Sequence, residues 1–327
     1  MEGSRRPKQR VAIFGAGAVG LYLAWKLSQL GHVAVVFEKM ARIEIKPCSG
    51  LISETACRMI PGMERYVENR ILSCRIHFPR KTINLSLKPT FVCVPRKALN
   101  ERLFRLAQSS AVSVVYSSSF NGSFAEELLS RFDRIVGCDG AFSAVRKACR
   151  LGDPKMKLGL QAIASVKDDS VYADVWPEKG GFFWRIPRGE TVEYGIMGAR
   201  SSAHGDFIRL IAELGVSDLG SIKSAPIPCG LRLPDNPRIT LCGDAAGLTK
   251  PWSGGGLLWG FRAADILAEC FPDFTLYRQR MRRVFMPQII GGRALTSFMC
   301  LLGNKIPFLL PANIGYDNDF LPLPTNK

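Results

Sequence analysis

The sequence predicts an α/β chain: a Rossmann-type dinucleotide-binding domain, assembled from separated pieces, with an antiparallel β-sheet interleaved between them as an α+β part. Three observations predict it. Gly15-Ala16-Gly17-Ala18-Val19-Gly20 lies between a short apolar run and an apolar helical stretch; Cys138-Asp139-Gly140 follows a second apolar run; Gly243-Asp244 follows a third and is trailed by Gly254, Gly255 and Gly256. Each glycine-bearing turn thus caps a strand-like segment, and their order is that of one composite site.

The first turn has the fullest context. Val11-Ala12-Ile13-Phe14 is β-prone, Leu21 to Leu27 reads as a helix that Gly31 ends, and Val33-Ala34-Val35-Val36-Phe37 is a second strand closing on Glu38. Strand, Gly-rich turn, helix and strand with a terminal acid is the dinucleotide-binding unit. Gly15 permits the tight turn, Gly17 lets backbone approach a pyrophosphate, and Gly20 lets helix and strand pack closely. The helix N-terminus favours the phosphate charge. Glu38 is predicted to accept from a ribose, with Lys39 beside it as a cofactor-binding cation. This unit by itself suits FAD and NAD equally.

The later turns separate the two. Phe132 to Arg146 runs from a strand through Asp139-Gly140 into a helix with basic residues, and it resembles the DG motif of flavoproteins with the p-hydroxybenzoate hydroxylase fold. Arg238 to Gly247, with Pro251 and Gly254 to Gly256 beyond, resembles the GD motif of the same superfamily. The resemblance implies FAD as cofactor, Asp244 bonded to a ribityl hydroxyl, and a helix starting near Gly254 that aims its N–H groups at the flavin carbonyl edge. Such an N-terminus stabilises the negative charge of reduced flavin. Arg96, where related flavoproteins carry an Arg at the start of a helix, is implied to lie near the cofactor phosphates. The likeness runs from about Val11 to about Leu267.

Two stretches resemble a narrower group, the geranylgeranyl reductase family. Lys46-Pro47-Cys48-Ser49-Gly50-Leu51-Ile52-Ser53 is similar to its Cys-bearing loop beside the flavin. Gly181-Phe182-Phe183-Trp184-Arg185-Ile186-Pro187 is similar to its substrate-cavity signature P-x-x-Y-x-W-x-F-P. Trp184 and Pro187 hold; Phe182 stands for the tyrosine, Ile186 for the phenylalanine and Lys179 for the first proline, with Pro177 displaced by two. The resemblance implies reduction of isoprenoid carbon–carbon double bonds in lipid biosynthesis, with Cys48 as proton donor or loop gate and Phe182, Phe183 and Trp184 lining an apolar cavity. Aromatics packing a core are the alternative for that strand. Two other functions keep the same fold: a flavin monooxygenase hydroxylating an aromatic or polyprenyl compound, and a non-catalytic flavin or lipid-binding protein.

Composition bounds the remainder. The 327 residues contain ten cysteines without a C-x-x-C pair and three histidines, so no metal site is expected and free thiols suggest a reducing cytosol. The amino terminus is basic and runs into the first strand, and no apolar run reaches the roughly 18 residues of a spanning helix, so neither signal peptide nor span is expected. The net charge of +16 comes without any nucleic-acid motif. A substrate diphosphate or an anionic membrane surface suits it better, the latter through Arg278, Arg280, Arg282 and Arg283 on one predicted helix and the broken apolar segment Phe285 to Leu323. A cytoplasmic enzyme, peripheral at the membrane's inner face, is therefore expected.

The predicted organisation is a flavin domain from 1–70, 95–155 and 229–275, a substrate sheet from 71–94 and 158–227, and a terminal element, 276–327, that lies on a membrane or closes the cavity. No second G-x-G-x-x-G with helix context occurs. The reductant is then NAD(P)H visiting the flavin face, or a protein electron donor.

Overall fold

The computed structural model describes residues 8–43, 46–122, 125–317 and 319–320. The basic amino-terminal residues 1–7 and residues 321–327 of the terminal element lie outside the described residues.

The glycine-rich unit forms as its pattern predicts. Strand β1 (Arg10–Phe14) leads into helix α1 (Ala18–Gln29) and back to β2 (Val33–Phe37), then to the short β3 (Leu51–Ser53) and α2 (Glu54–Arg58). A long hairpin follows, β4 (Asn69–Phe78) and β5 (Lys81–Cys93), and then α3 (Arg96–Ser109), β6 (Ser113–Val115), α4 (Ala125–Arg131), β7 (Arg134–Gly137) and α5 (Ala144–Ala148). Four strands, β8 (Lys155–Ala164), β9 (Tyr172–Glu178), β10 (Gly181–Pro187) and β11 (Val192–Gly198), precede α6 (Ala203–Glu213) and β12 (Lys223–Cys229). The chain then returns through β13 (Ile239–Leu241) to α7 (Leu257–Cys270) and α8 (Phe274–Lys305), and ends its described course with β14 (Asn313–Asp317).

These strands sort into two sheets. One is five-stranded and parallel, in the order β13-β7-β1-β2-β6. Its central strand β1 is covered on both faces, with Val11, Ala12 and Ile13 fully buried, which is why it reads as an unbroken apolar run and not as an alternation. Burial of Val11 and of Ile13 contributes about 1.5–3 kcal/mol each. The second sheet is nine-stranded, ordered β12-β8-β11-β10-β9-β4-β5-β14, with β3 paired to β5. Leu51–Ser53, within the span predicted for the flavin domain, is thus hydrogen-bonded to this second sheet, and Asn313–Asp317 of the terminal element adds a parallel strand to its edge.

Two further expectations change. Helix α8 runs for 32 residues through Pro287, where a broken segment was expected. Pro287 sits on the exposed side of the helix, where water can satisfy the carbonyl that loses its partner, while Phe285, Gln288 and Ile289 are buried on the inner side and hold the helix to the body. The same helix contains an 18-residue window of mean hydropathy 1.3, of which 22% is buried, so among the described residues one helix is by length and composition apolar enough to cross a membrane. Its inner side nonetheless packs along the body: Gly292 lies against Trp252 and Gly303 against Phe78.

Candidate active site

The three glycine-bearing turns converge because their parent strands are neighbours. Strand β7 lies beside β1 and β13 beside β7, so all three turns emerge from the same carboxyl edge of the parallel sheet. The approach is close. A Cβ on Gly20 would lie 2.0 Å from the Gly15 carbonyl oxygen, and one on Gly15, whose φ is +104°, 2.4 Å from the Cys138 oxygen. The backbone of Cys242 donates to Gly137 O at 2.9 Å. Arg146, fully buried, ties the second and third turns by donating to Ala245 O at 2.8 Å and Ala141 O at 2.7 Å.

A cavity of about 630 Å³ opens from this edge. Gly17, Cys48, Arg96, Gly140, Asp244, Gly254, Gly255 and Gly256 line its one end, and Trp184, Phe182, Phe78 and Ile83 lie along its apolar remainder. Trp184 and Phe182 therefore share a chamber with the glycine turns. Phe183 does not. Strand alternation turns it to the opposite face, where it packs on Trp176, Tyr194 and Phe207 under α6, so it leaves the predicted cavity set.

Glu38 closes the first turn itself: its carboxylate accepts from Ala16 N at 2.8 Å and from Met40 N at 3.0 Å, while Lys39 is exposed beyond the strand. Asp139 caps α5 through Oδ2, accepting from Ala144 N at 2.7 Å and Val145 N at 3.2 Å. Asp244 carries a partner that sequence reasoning passed over. Lys46 reaches across from the Cys48 loop, with its Nζ 2.5 Å from Asp244 Oδ2 and 3.3 Å from Pro226 O. Lys250 was missed as well. It is 4% exposed, lines the cavity, pairs with Asp319 at 3.3 Å and sits 5.9 Å from the centre of the Phe91 ring. Burial lowers its ammonium pKa and Asp319 opposes that. Neither lysine follows from a motif, since each partner comes from a distant segment.

A buried polar network joins the two segments that carry the narrower resemblance. Trp184 Nε1 donates to Glu193 Oε1 at 3.0 Å; Glu193 Oε2 faces Arg188 Nη1 at 3.4 Å; and Arg188 also bonds the Ser49 carbonyl beside Cys48 and Val94 O at 3.3 Å. Burial pushes the Glu193 carboxyl up to about 7, with Arg188 and the Trp184 indole pulling the other way.

The chain is similar to known proteins along most of its length. No family model matches it. Geranylgeranyl diphosphate reductase of Rhodobacter capsulatus is 26% identical over 299 residues, covering 80% of this chain and 74% of that protein. Digeranylgeranylglycerophospholipid reductase 3 of Methanosphaera stadtmanae is 27% identical over 296 residues, covering 76% and 73%. Among solved structures, a geranylgeranyl bacteriochlorophyll reductase-like protein of Thermoplasma acidophilum superposes with a TM-score of 0.73 at 18% identity, covering 90% of this chain and 88% of that one.

Fold and site together define an FAD-dependent oxidoreductase built on the p-hydroxybenzoate hydroxylase plan. Within that class, the chain's likeness is to the geranylgeranyl reductases.

The residues fit the cofactor. Among the described residues three buried side-chain atoms have no hydrogen-bond partner, Arg96 Nε, Asn100 Oδ1 and Asp139 Oδ1, and Arg96 and Asn100 line the cavity one helical turn apart. Helices α1, α3 and α7 begin at Gly17, Pro95 and Gly256 without a side-chain cap, and all three N-termini meet the cavity. By contrast α2, α5 and α8 are capped by Ser53, Ser143 and Asp273. Uncapped N–H groups and an unpaired guanidinium suit phosphates, and a Cβ built on Gly17 or Gly140 meets no atom within 4 Å, leaving room for backbone approach.

Proposed function

We propose that this protein saturates carbon–carbon double bonds of geranylgeranyl or related isoprenoid chains, with NAD(P)H or a protein donor as reductant. The observation that carries the reading is the continuity of one apolar cavity from the glycine turns, past Cys48 and Trp184, to Phe78, Ile83, Met299 and Ile314. Its volume lies within the range of small-molecule sites, and its walls suit a long hydrocarbon.

FAD, when bound and reduced, supplies the hydride. The protein's share is placement and the proton. An isolated alkene is a poor hydride acceptor, so holding it at the right point provides much of the rate. Trp184 and Phe182 would hold the chain, and the Arg188 bond to the Ser49 carbonyl holds the Cys48 loop to the strand end that carries the indole. Cys48, on the cavity wall, would give the proton to the second alkene carbon and regain it from solvent. Arg96, Asn100, Asp139, Gly140 and the N-termini of α1 and α3 would hold the cofactor phosphates and ribose, and Asp244 with Gly254 to Gly256 its flavin end.

The exposed apolar residues Met286, Ile290, Phe298 and Leu301 on α8, with Phe308 and Leu309 just beyond, support contact with an anionic membrane surface in a chain of net charge +16. The deciding experiment is anaerobic incubation of the flavin-loaded protein with dithionite and a geranylgeranyl substrate, read by mass spectrometry. A gain of two mass units per reduced bond is expected. Turnover that instead requires dioxygen and adds oxygen to the product would replace this reading with the monooxygenase.

A further inference from the structure

Three cations from separate positions of the fold meet beside the cavity. On β8, Gly159 and Gln161 line the cavity, and Lys157 and Lys155 continue the same face of the strand. Lys157 lies one strand period, about 7 Å, from the Gly159 wall position. In the pairing with β12, Lys157 stands opposite Ile227, which also lines the cavity, and Lys155 opposite Cys229. Arg293 closes the cluster from α8. Its Nη2 donates to the Cys229 carbonyl at 3.0 Å, which sets it over the residue that pairs with Lys155. From Arg293 the helix continues into the cavity wall through Thr296 and Cys300 at the i+3 and i+7 positions of the same face.

Nothing acidic balances this cluster. Among the described residues Lys155, Lys157 and Arg293 form no carboxylate ion pair, a feature they share with exposed lysines such as Lys39 and Lys179, but these three lie together beside the cavity. Burial lowers the Lys157 ammonium pKa; Cys229 opposes that, and the repulsion of Lys155 and Arg293 adds to it. Where Phe78, Ile83 and Ile314 line the cavity, its wall is hydrocarbon.

We propose that Lys155, Lys157 and Arg293 form a phosphoryl-binding rim that anchors the phosphate or diphosphate head group of the substrate, with the isoprenoid chain running from it into the cavity. The assignment rests on the function proposed above and adds to it a polarity: head at the β8–α8 rim, tail toward β4, β5 and β14. A cluster of donors held by a strand and a helix suits a phosphate ester, and each charge-assisted bond contributes about ten-fold or more in affinity.

The test uses flavin-loaded wild type, Lys157→Met and Arg293→Met, with Lys167→Met as an exposed-cation control. Inorganic pyrophosphate binding is measured by calorimetry, and KM is measured for geranylgeranyl diphosphate, a geranylgeranylated glycerophosphate, geranylgeraniol and NADPH. Pyrophosphate binding should weaken at least about ten-fold in the two rim variants and not in the control, and KM should rise similarly for a phosphate-bearing substrate but not for the alcohol. Whichever phosphate ester responds, diphosphate or glycerophosphate, identifies the head group. Equal pyrophosphate binding in all four proteins would overturn the proposal, as would a KM increase confined to NADPH, which would mean that the cluster serves the nucleotide. If wild type binds pyrophosphate through these residues yet reduces no isoprenoid, the rim stands and the proposed function fails.

Discussion

The indole of Trp184 donates its N–H to the carboxylate of Glu193, 3.0 Å away across the β10–β11 pair, at a site where Glu193 is 1% exposed. Trp184 is thereby held by a buried acid whose second oxygen faces Arg188, and Arg188 in turn bonds the backbone beside Cys48. The cavity wall and the cysteine loop are coupled through one charged centre.

That coupling predicts a pH dependence of stability. The Glu193 carboxyl rises from its ordinary 4.5 to about 7, so between those values the folded chain holds a proton that the unfolded chain releases. Stability from this group is full below about pH 4.5 and is lost as pH rises through about 7, by about 3 kcal/mol at about 1.4 kcal/mol per pH unit. In Glu193→Gln, which keeps the acceptor for the indole, denaturant unfolding at pH 5 and pH 8 should show a correspondingly smaller difference. An unchanged difference would mean that Glu193 is ionised throughout.

Gly17 and Gly20 should separate binding from folding. A Cβ on Gly20 would meet the Gly15 oxygen at 2.0 Å, so Gly20→Ala should lower the melting temperature and lose flavin together. At Gly17 a Cβ meets nothing within 4 Å but enters the cavity, so Gly17→Ala should melt as wild type in the apo form while flavin affinity falls at least ten-fold. Fluorescence quenching of titrated FAD reads the second effect.

Arg146 should prove structural. It spans the second and third turns through Ala141 O and Ala245 O, and removing it leaves those carbonyls and part of Asp153 without their donor. Arg146→Met should cost about 3–5 kcal/mol in urea unfolding. A loss below about 1 kcal/mol would show that the turns hold together without it.

For the outer face of α8, Phe298→Glu and Phe308→Glu should leave the melting temperature unchanged, since both side chains are exposed, and should reduce co-sedimentation with anionic phosphatidylserine vesicles several-fold. Equal sedimentation would remove this face as a membrane contact.

Cys48→Ala should lower anaerobic turnover of a geranylgeranyl substrate by about a hundred-fold or more with FAD still bound, the scale of a lost general acid. Unchanged turnover would move the proton to another group, for which the buried Lys250 on the cavity wall is a candidate.

Much of the fold was legible because its signals are local. The turn at Gly15 needs a backbone geometry that glycine alone adopts freely, β1 is an unbroken apolar run because both its faces are covered, and Asp139-Gly140 and Gly243-Asp244 each follow a strand. Strand alternation then divided Phe182 and Trp184 from Phe183, which the motif alone does not do.

What only the tertiary structure decided are the pairings across long sequence distance. Lys46 meets Asp244, Lys250 meets Asp319, and Arg293 closes over the Cys229 carbonyl beside Lys155. The continuity of α8 through Pro287 belongs here too, since a proline's helix-breaking tendency is local while the burial of Phe285 and Ile289 is not. The sequence by itself determined the glycine turns and the strands that carry them, because backbone sterics and hydrophobic period act within a few residues. Which charges face one another was decided by packing, because a charge has no periodicity of its own and its partner is chosen by the surfaces the folded sheets bring together.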